Sequence, residues 1–175
     1  MFFSNQVILA AVMNMKESKE LLSSILKTTQ MGQVGIRSVL DSNMRPTLRK
    51  ALESQLTEYD SIETEAHCIA SSRGWQVPEL DPMIRTMADM MTRVRLKGGN
   101  TDSKIAGMMI QGNTRGMIKS LKDLHQYNKQ DHQIKSLSQK LLDCENANIR
   151  QMQGYLSSFG SHCSRGNPFS CFSIR

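Results

Sequence analysis

Aromatic residues make up only 5% of the 175-residue chain, and there are only four prolines. Sheet surfaces draw on aromatic and β-branched side chains, whereas the Leu, Met, Gln and Lys that abound here suit helices. An all-α fold is the expectation. The four cysteines, Cys68, Cys144, Cys163 and Cys171, form no CxxC pair, and none has a histidine at zinc-finger spacing. That excludes a zinc finger or a compact disulfide framework, and points to a reducing cytoplasm. Nor is there a long apolar run. Val7 to Met13 is too short to cross a bilayer and has no basic residue before it, so no membrane span or secretory leader is expected.

Other signatures are missing too. The chain has no nucleophile elbow, phosphate loop or dinucleotide fingerprint; Gly98-Gly99 is a lone turn. The net charge of +6 is dispersed, apart from Arg85, Arg93, Arg95 and Lys97. Without a recognition-helix signature or basic strands interleaved with aromatics, it reads as a solvated surface, and nucleic-acid binding is not expected.

What is present is helical periodicity. Leu22, Ile25, Leu26, Thr29, Gln33, Ile36 and Leu40 form one stripe within residues 17–42. Pro46 suits the first turn of a second helix over 47–72, with Leu48, Leu52, Gln55, Leu56, Tyr59, Ile62, Ala66 and Ile69 inward. Gly74 ends it. A third major stripe, Ile105, Ala106, Ile110, Asn113, Met117, Leu121 and Leu124, starts near Thr101. A fourth, capped by Asp131, carries Ile134, Leu137, Leu141, Glu145, Asn148, Met152, Tyr155 and Phe159. The layout is a lead-in over 1–16, a four-helix bundle over 17–160 and a flexible tail over 161–175. Within the bundle, a crossover over about 73–100 holds a short helix begun by Asp81-Pro82. Gln30, Gly35, Ile36 and Leu40 align with Gln111, Gly116, Met117 and Leu121 at one offset, which suggests two equivalent helical hairpins.

Each major stripe is interrupted by polar residues at matching depth: Thr29 and Gln33, Gln55 and Tyr59, Asn113 and Thr114, Glu145 and Asn148. Burying an unpartnered polar group costs roughly 1–3 kcal/mol, so four interruptions imply a shared polar layer.

Helix lengths, crossover and polar layer together resemble the ferritin-like superfamily, specifically its small bacterial four-helix-bundle members, over roughly residues 17–159. The resemblance implies a bundle with one long crossover. Metal-binding members carry a carboxylate on helices one and three and a Glu-x-x-His pair on two and four. Here helix four offers Glu145-Asn-Ala-Asn148 and helix two Tyr59-Asp-Ser-Ile62, while the other helices give Thr29, Gln33, Asn113 and Thr114. One carboxylate cannot neutralise two metal ions, so the dinuclear site is expected to be lost. Glu145 could then join a hydrogen-bonded network with Tyr59 and the amides of Gln33 or Asn113, reach solvent at the stripe's edge, or centre a single-metal or small-ligand site. Burial without a cation would raise its pKa.

Glu63 and His67, four residues apart and accompanied by Glu65, are a weak metal pair better read as a solvent-facing acidic patch. His125 and His132 read as surface residues. Met83, Met87, Met90 and Met91, with Met108 and Met109, form a methionine-rich group. It suits core filling, adaptable protein contacts or, least of all, Cu(I). The expected function is a non-catalytic ferritin-like module that binds a protein partner or self-associates into an oligomer, with no cofactor. The alternative is an iron- or manganese-binding protein or oxidoreductase centred on Glu145.

Overall fold

The computed structural model describes residues 2–78, 80–81, 83–84, 101–127 and 131–156, with side chains from residue 15 onward. Four helices pack as a bundle: α1 (Phe2–Leu40), α2 (Pro46–Ser72), α3 (Thr101–Gln126) and α4 (His132–Leu156). The described residues include no strand. α1 begins at Phe2 instead of Glu17, because nothing from Phe2 to Met31 breaks a helix: no Gly or Pro occurs there. α2 starts with Pro46 in its first turn, where the missing N–H costs nothing.

Side-chain contacts at the helix ends fix the topology. Ser18 of α1 is hydrogen-bonded to Tyr127, just past α3 (2.8 Å). Arg73, just past α2, donates to Asp131, just before α4 (Nη2 to Oδ1, 3.1 Å). At the opposite end Arg45 pairs with Asp102, and the Tyr155 hydroxyl of α4 donates to the Thr47 carbonyl of α2 (3.0 Å). α1 and α4 are therefore parallel, and α2 and α3 run against them. α2 measures about 40 Å at 1.5 Å per residue, so the connection from Ser72 to Thr101 starts at one end of the bundle and finishes at the other. The described part of it includes Asp81, whose carboxylate accepts the Met83 N–H (2.9 Å), as its capping role predicts. The remainder of that crossover and the tail over 161–175 lie outside the described residues.

The core is apolar on both sides of the polar level. Leu48, Leu52 and Met152 fill it toward the end where α2 begins, and Ile62, Ala66 and Leu141 toward the end where α2 stops. α3 departs from the expected stripe. Its buried residues are Ile105, Ala106, Met109, Asn113 and Ser120, while Leu121 is 49% exposed and Met117 and Leu124 are only half-buried. A glycine, Gly116, stands where α4 places the Glu145 side chain.

Candidate functional site

Tyr59 and Glu145 meet at the centre of the bundle, each admitted by a glycine on the helix it faces. Tyr59, on α2, is fully buried, with its ring against α1 at Gly32. A methyl group at Gly32 would lie 2.6 Å from the ring carbon Cζ. Glu145, on α4, is 2% exposed and lies against α3 at Gly116, where a methyl group would fall on the carboxyl group itself. Glycine inside a helix costs about 1 kcal/mol relative to alanine. In both places the helix accepts that cost so that a polar side chain can reach the middle.

The Tyr59 hydroxyl donates to Asn113 Oδ1 of α3 at 3.0 Å, with Glu145 and Asn148 of α4 beside it. Burial drives the Glu145 pKa up to about 8, a rise that its hydrogen bond with Tyr59 only partly opposes. At neutral pH the carboxyl group is therefore largely protonated. Burial, and then the negative charge Glu145 would carry, hold the Tyr59 hydroxyl far above its ordinary pKa, so it stays protonated. Cys144 is similarly inert: burial and its hydrogen bond to Glu58 (3.4 Å) push its thiol up to about 12. Asn148 donates to that sulfur at 3.5 Å.

The network is incomplete. Glu145 Oε2, Asn113 Nδ2 and Thr29 Oγ1 are buried without a hydrogen-bond partner. Glu145 also lines a cavity of about 400 Å³ between α1 and α3, walled by Gly32, Gly35, Gly112, Gly116 and the methionines Met31, Met108 and Met109.

The other expected members of the layer sit apart from this centre. Gln33 is buried but faces the α1–α2 seam, donating to Asp60 (2.9 Å) and Glu63 (2.6 Å). It does not reach Glu145, because α1 presents Gly32 and Thr29 to the interior at this level and turns Gln33 toward α2. Gln55 is buried one turn before Tyr59 and donates to Gln151 of α4 at 2.5 Å. Thr114 is only half-buried; a rotation of about 100° from Asn113 carries it off the inner face.

Glu63 belongs to the same seam. It accepts from Gln30 (2.9 Å) and Gln33, and lies 3.8 Å from His67. Burial works to raise its pKa, but those two amides, with His67 and Arg37 nearby, hold it below the usual carboxylate range. Glu65 points elsewhere, to Lys140 of α4 (2.8 Å). His125 and His132 are exposed. Among the described residues, no three His, Cys, Asp or Glu side chains come together as a metal-binding group. Met83 is 70% exposed; Met87, Met90 and Met91 lie outside the described residues.

Sequence reasoning missed the two admitting glycines and the cavity. The signal was available: glycines in the interior of long helical patterns usually mark a close approach. The internal alignment pairs Gly35 with Gly116, whereas the glycine that does for Tyr59 what Gly116 does for Glu145 is Gly32, one turn earlier.

Fold and site together define an all-α four-helix bundle with one end-to-end crossover and a polar centre. No protein-family model and no curated protein matches the chain. Among solved structures it is similar to a DUF305 fragment from Deinococcus radiodurans, with a TM-score of 0.64 and 13% identity over 82% of this chain and 97% of that one. At that identity the likeness is one of fold alone. No helix among the described residues is long and apolar enough to cross a membrane.

Proposed function

We propose that the protein is a non-catalytic helical bundle of the ferritin-like type, acting as a binding or structural module in which the dinuclear metal site has been lost. The crossover topology and the central polar layer support the ferritin-like placement. The observation that carries the functional reading is the neighbourhood of Glu145. Its neighbours are a tyrosine hydroxyl and, beyond that, an asparagine amide, and its charge is disfavoured by burial instead of being balanced by further ligands. Divalent or trivalent ions need several anionic or imidazole donors. A phenol held far above its ordinary pKa and a thiol pushed to about 12 supply none at neutral pH. The exposed Met83 at the start of the methionine-rich segment supports contact with a protein partner or a second copy, and a cytoplasmic setting suits the free cysteines Cys68 and Cys144.

Metal analysis of the full chain, produced with iron and manganese supplied, tests this reading. Metal far below one ion per chain is expected. Stoichiometric iron or manganese that disappears in Glu145→Ala would favour instead a metal-binding protein or oxidoreductase centred on Glu145.

A further inference from the structure

The cavity between α1 and α3 brings a buried acid, apolar thioethers and exposed cations together. At its inner end is Glu145, 2% exposed, with Oε2 buried and unpartnered. Met31, Met108 and Met109 supply apolar lining, together with helix backbone at Gly32, Gly35, Gly112 and Gly116. Its outer end is basic. Lys27 and Arg115 are exposed there, neither in an ion pair among the described residues, while Lys119 is already engaged by Asp123 at 3.0 Å.

We propose that this cavity binds a small organic zwitterion, an amine and an acid separated by an apolar body. The ammonium would lie on the Glu145 carboxyl, the methylenes or ring against the methionines, and the carboxylate at Lys27 or Arg115. Each part of the ligand answers one observed feature. A charge-assisted hydrogen bond from an incoming N–H donor to a buried carboxylate is the strong kind. The thioether wall adapts to an aliphatic or aromatic body. The rim cations attract the acid and set its orientation. A volume of about 400 Å³ lies within the usual range for small-molecule sites.

Binding carries a proton signature. The titratable groups around Glu145 are Tyr59 of α2, Cys144 on its own helix, Lys27 of α1, and Arg115 and Lys119 of α3. Glu145, held largely neutral by burial, must ionise to pair with an ammonium, so complex formation at pH 7 releases a proton from it.

The test is calorimetric titration of the full chain at pH 7 with 6-aminohexanoate, hexylamine and hexanoate, in two buffers of different ionisation enthalpy. The two-ended probe is expected to bind roughly tenfold or more tightly than either one-ended probe, with proton release. Glu145→Gln should abolish the advantage over hexanoate, and Lys27→Ala with Arg115→Ala the advantage over hexylamine. Gly112→Leu fills the cavity from an exposed position whose added Cβ would meet nothing within 4 Å, so it should fold and bind none of the probes. Hexanoate binding as tightly as 6-aminohexanoate, binding unchanged in Glu145→Gln or Gly112→Leu, or no binding of any probe would each overturn the proposal. The proposal rests on the metal-free reading of the layer. Stoichiometric metal lost in Glu145→Ala would overturn that reading, whereas metal-free protein that ignores all three probes would overturn only the ligand.

Discussion

At the scale of single residues, Tyr59, Glu145 and their glycines make opposite predictions from neighbouring positions. Tyr59→Phe removes a buried donor from Asn113 Oδ1 and should cost about 1 kcal/mol in urea unfolding. Gly116→Ala forces a methyl group onto the Glu145 carboxyl and should destabilise by about 1–3 kcal/mol. Gly112→Ala, one turn away in open space, should instead leave stability unchanged or raise it by up to about 1 kcal/mol. Equal effects of the two alanines would show that Gly116 does not admit Glu145. Glu145 was legible in the sequence as a lone acid in an inward stripe. Its glycine carried a signal as a glycine inside a helical pattern, but which side chain it admits depends on what faces it across the bundle.

At the scale of elements, the clamp between the end of α2 and the start of α4 has the clearest consequence. Asp131 caps α4 through the Ile134 N–H (3.3 Å) and binds Arg73, whose guanidinium also stacks on Trp75 at 5.0 Å. The Arg73 hydrogen bonds hold the Asp131 pKa below its ordinary value, with burial opposing. Its stabilisation is thus present above the unfolded carboxylate pKa and is lost as pH falls through the lower folded value. Asp131→Ala should cost about 1–3 kcal/mol at neutral pH. The difference from wild type should shrink in acid denaturation series at the lowest pH that still permits folding. Capping at Asp131 and Pro46 could be read locally, since both signals act within one turn. The outer half of α3 could not. Its Met117, Leu121 and Leu124 keep helical spacing, and only the depth of Glu145 explains why Gly116 faces inward. The same limit applies to Gln33, whose spacing fits the inner stripe while Asp60 and Glu63 across the seam draw it aside.

At the scale of the whole molecule, four stripes, short hairpin connections and one long connection suffice to specify the bundle and its crossover. The cavity is a property of two helices 60 residues apart in sequence or more, and no local pattern encodes its shape. One global consequence is a pH-dependent stability set at the centre. The Glu145 pKa rises from an ordinary 4.5 unfolded to about 8 folded. Below pH 4.5 both states are protonated and its favourable contribution is fully present. Between 4.5 and 8 the folded state holds the extra proton, so stability declines as pH rises, by at most about 1.4 kcal/mol per pH unit. Glu145→Gln should remove that slope.

The most direct measurement is a carbon-13 NMR titration of the glutamate side-chain carboxyls in the folded, full-length protein. One resonance should titrate with a midpoint near 8 and be missing in Glu145→Gln, marking a solitary neutral acid at the heart of the bundle. If every glutamate titrates in the ordinary range around 4.5, Glu145 is ionised and balanced by a cation, and the account is wrong.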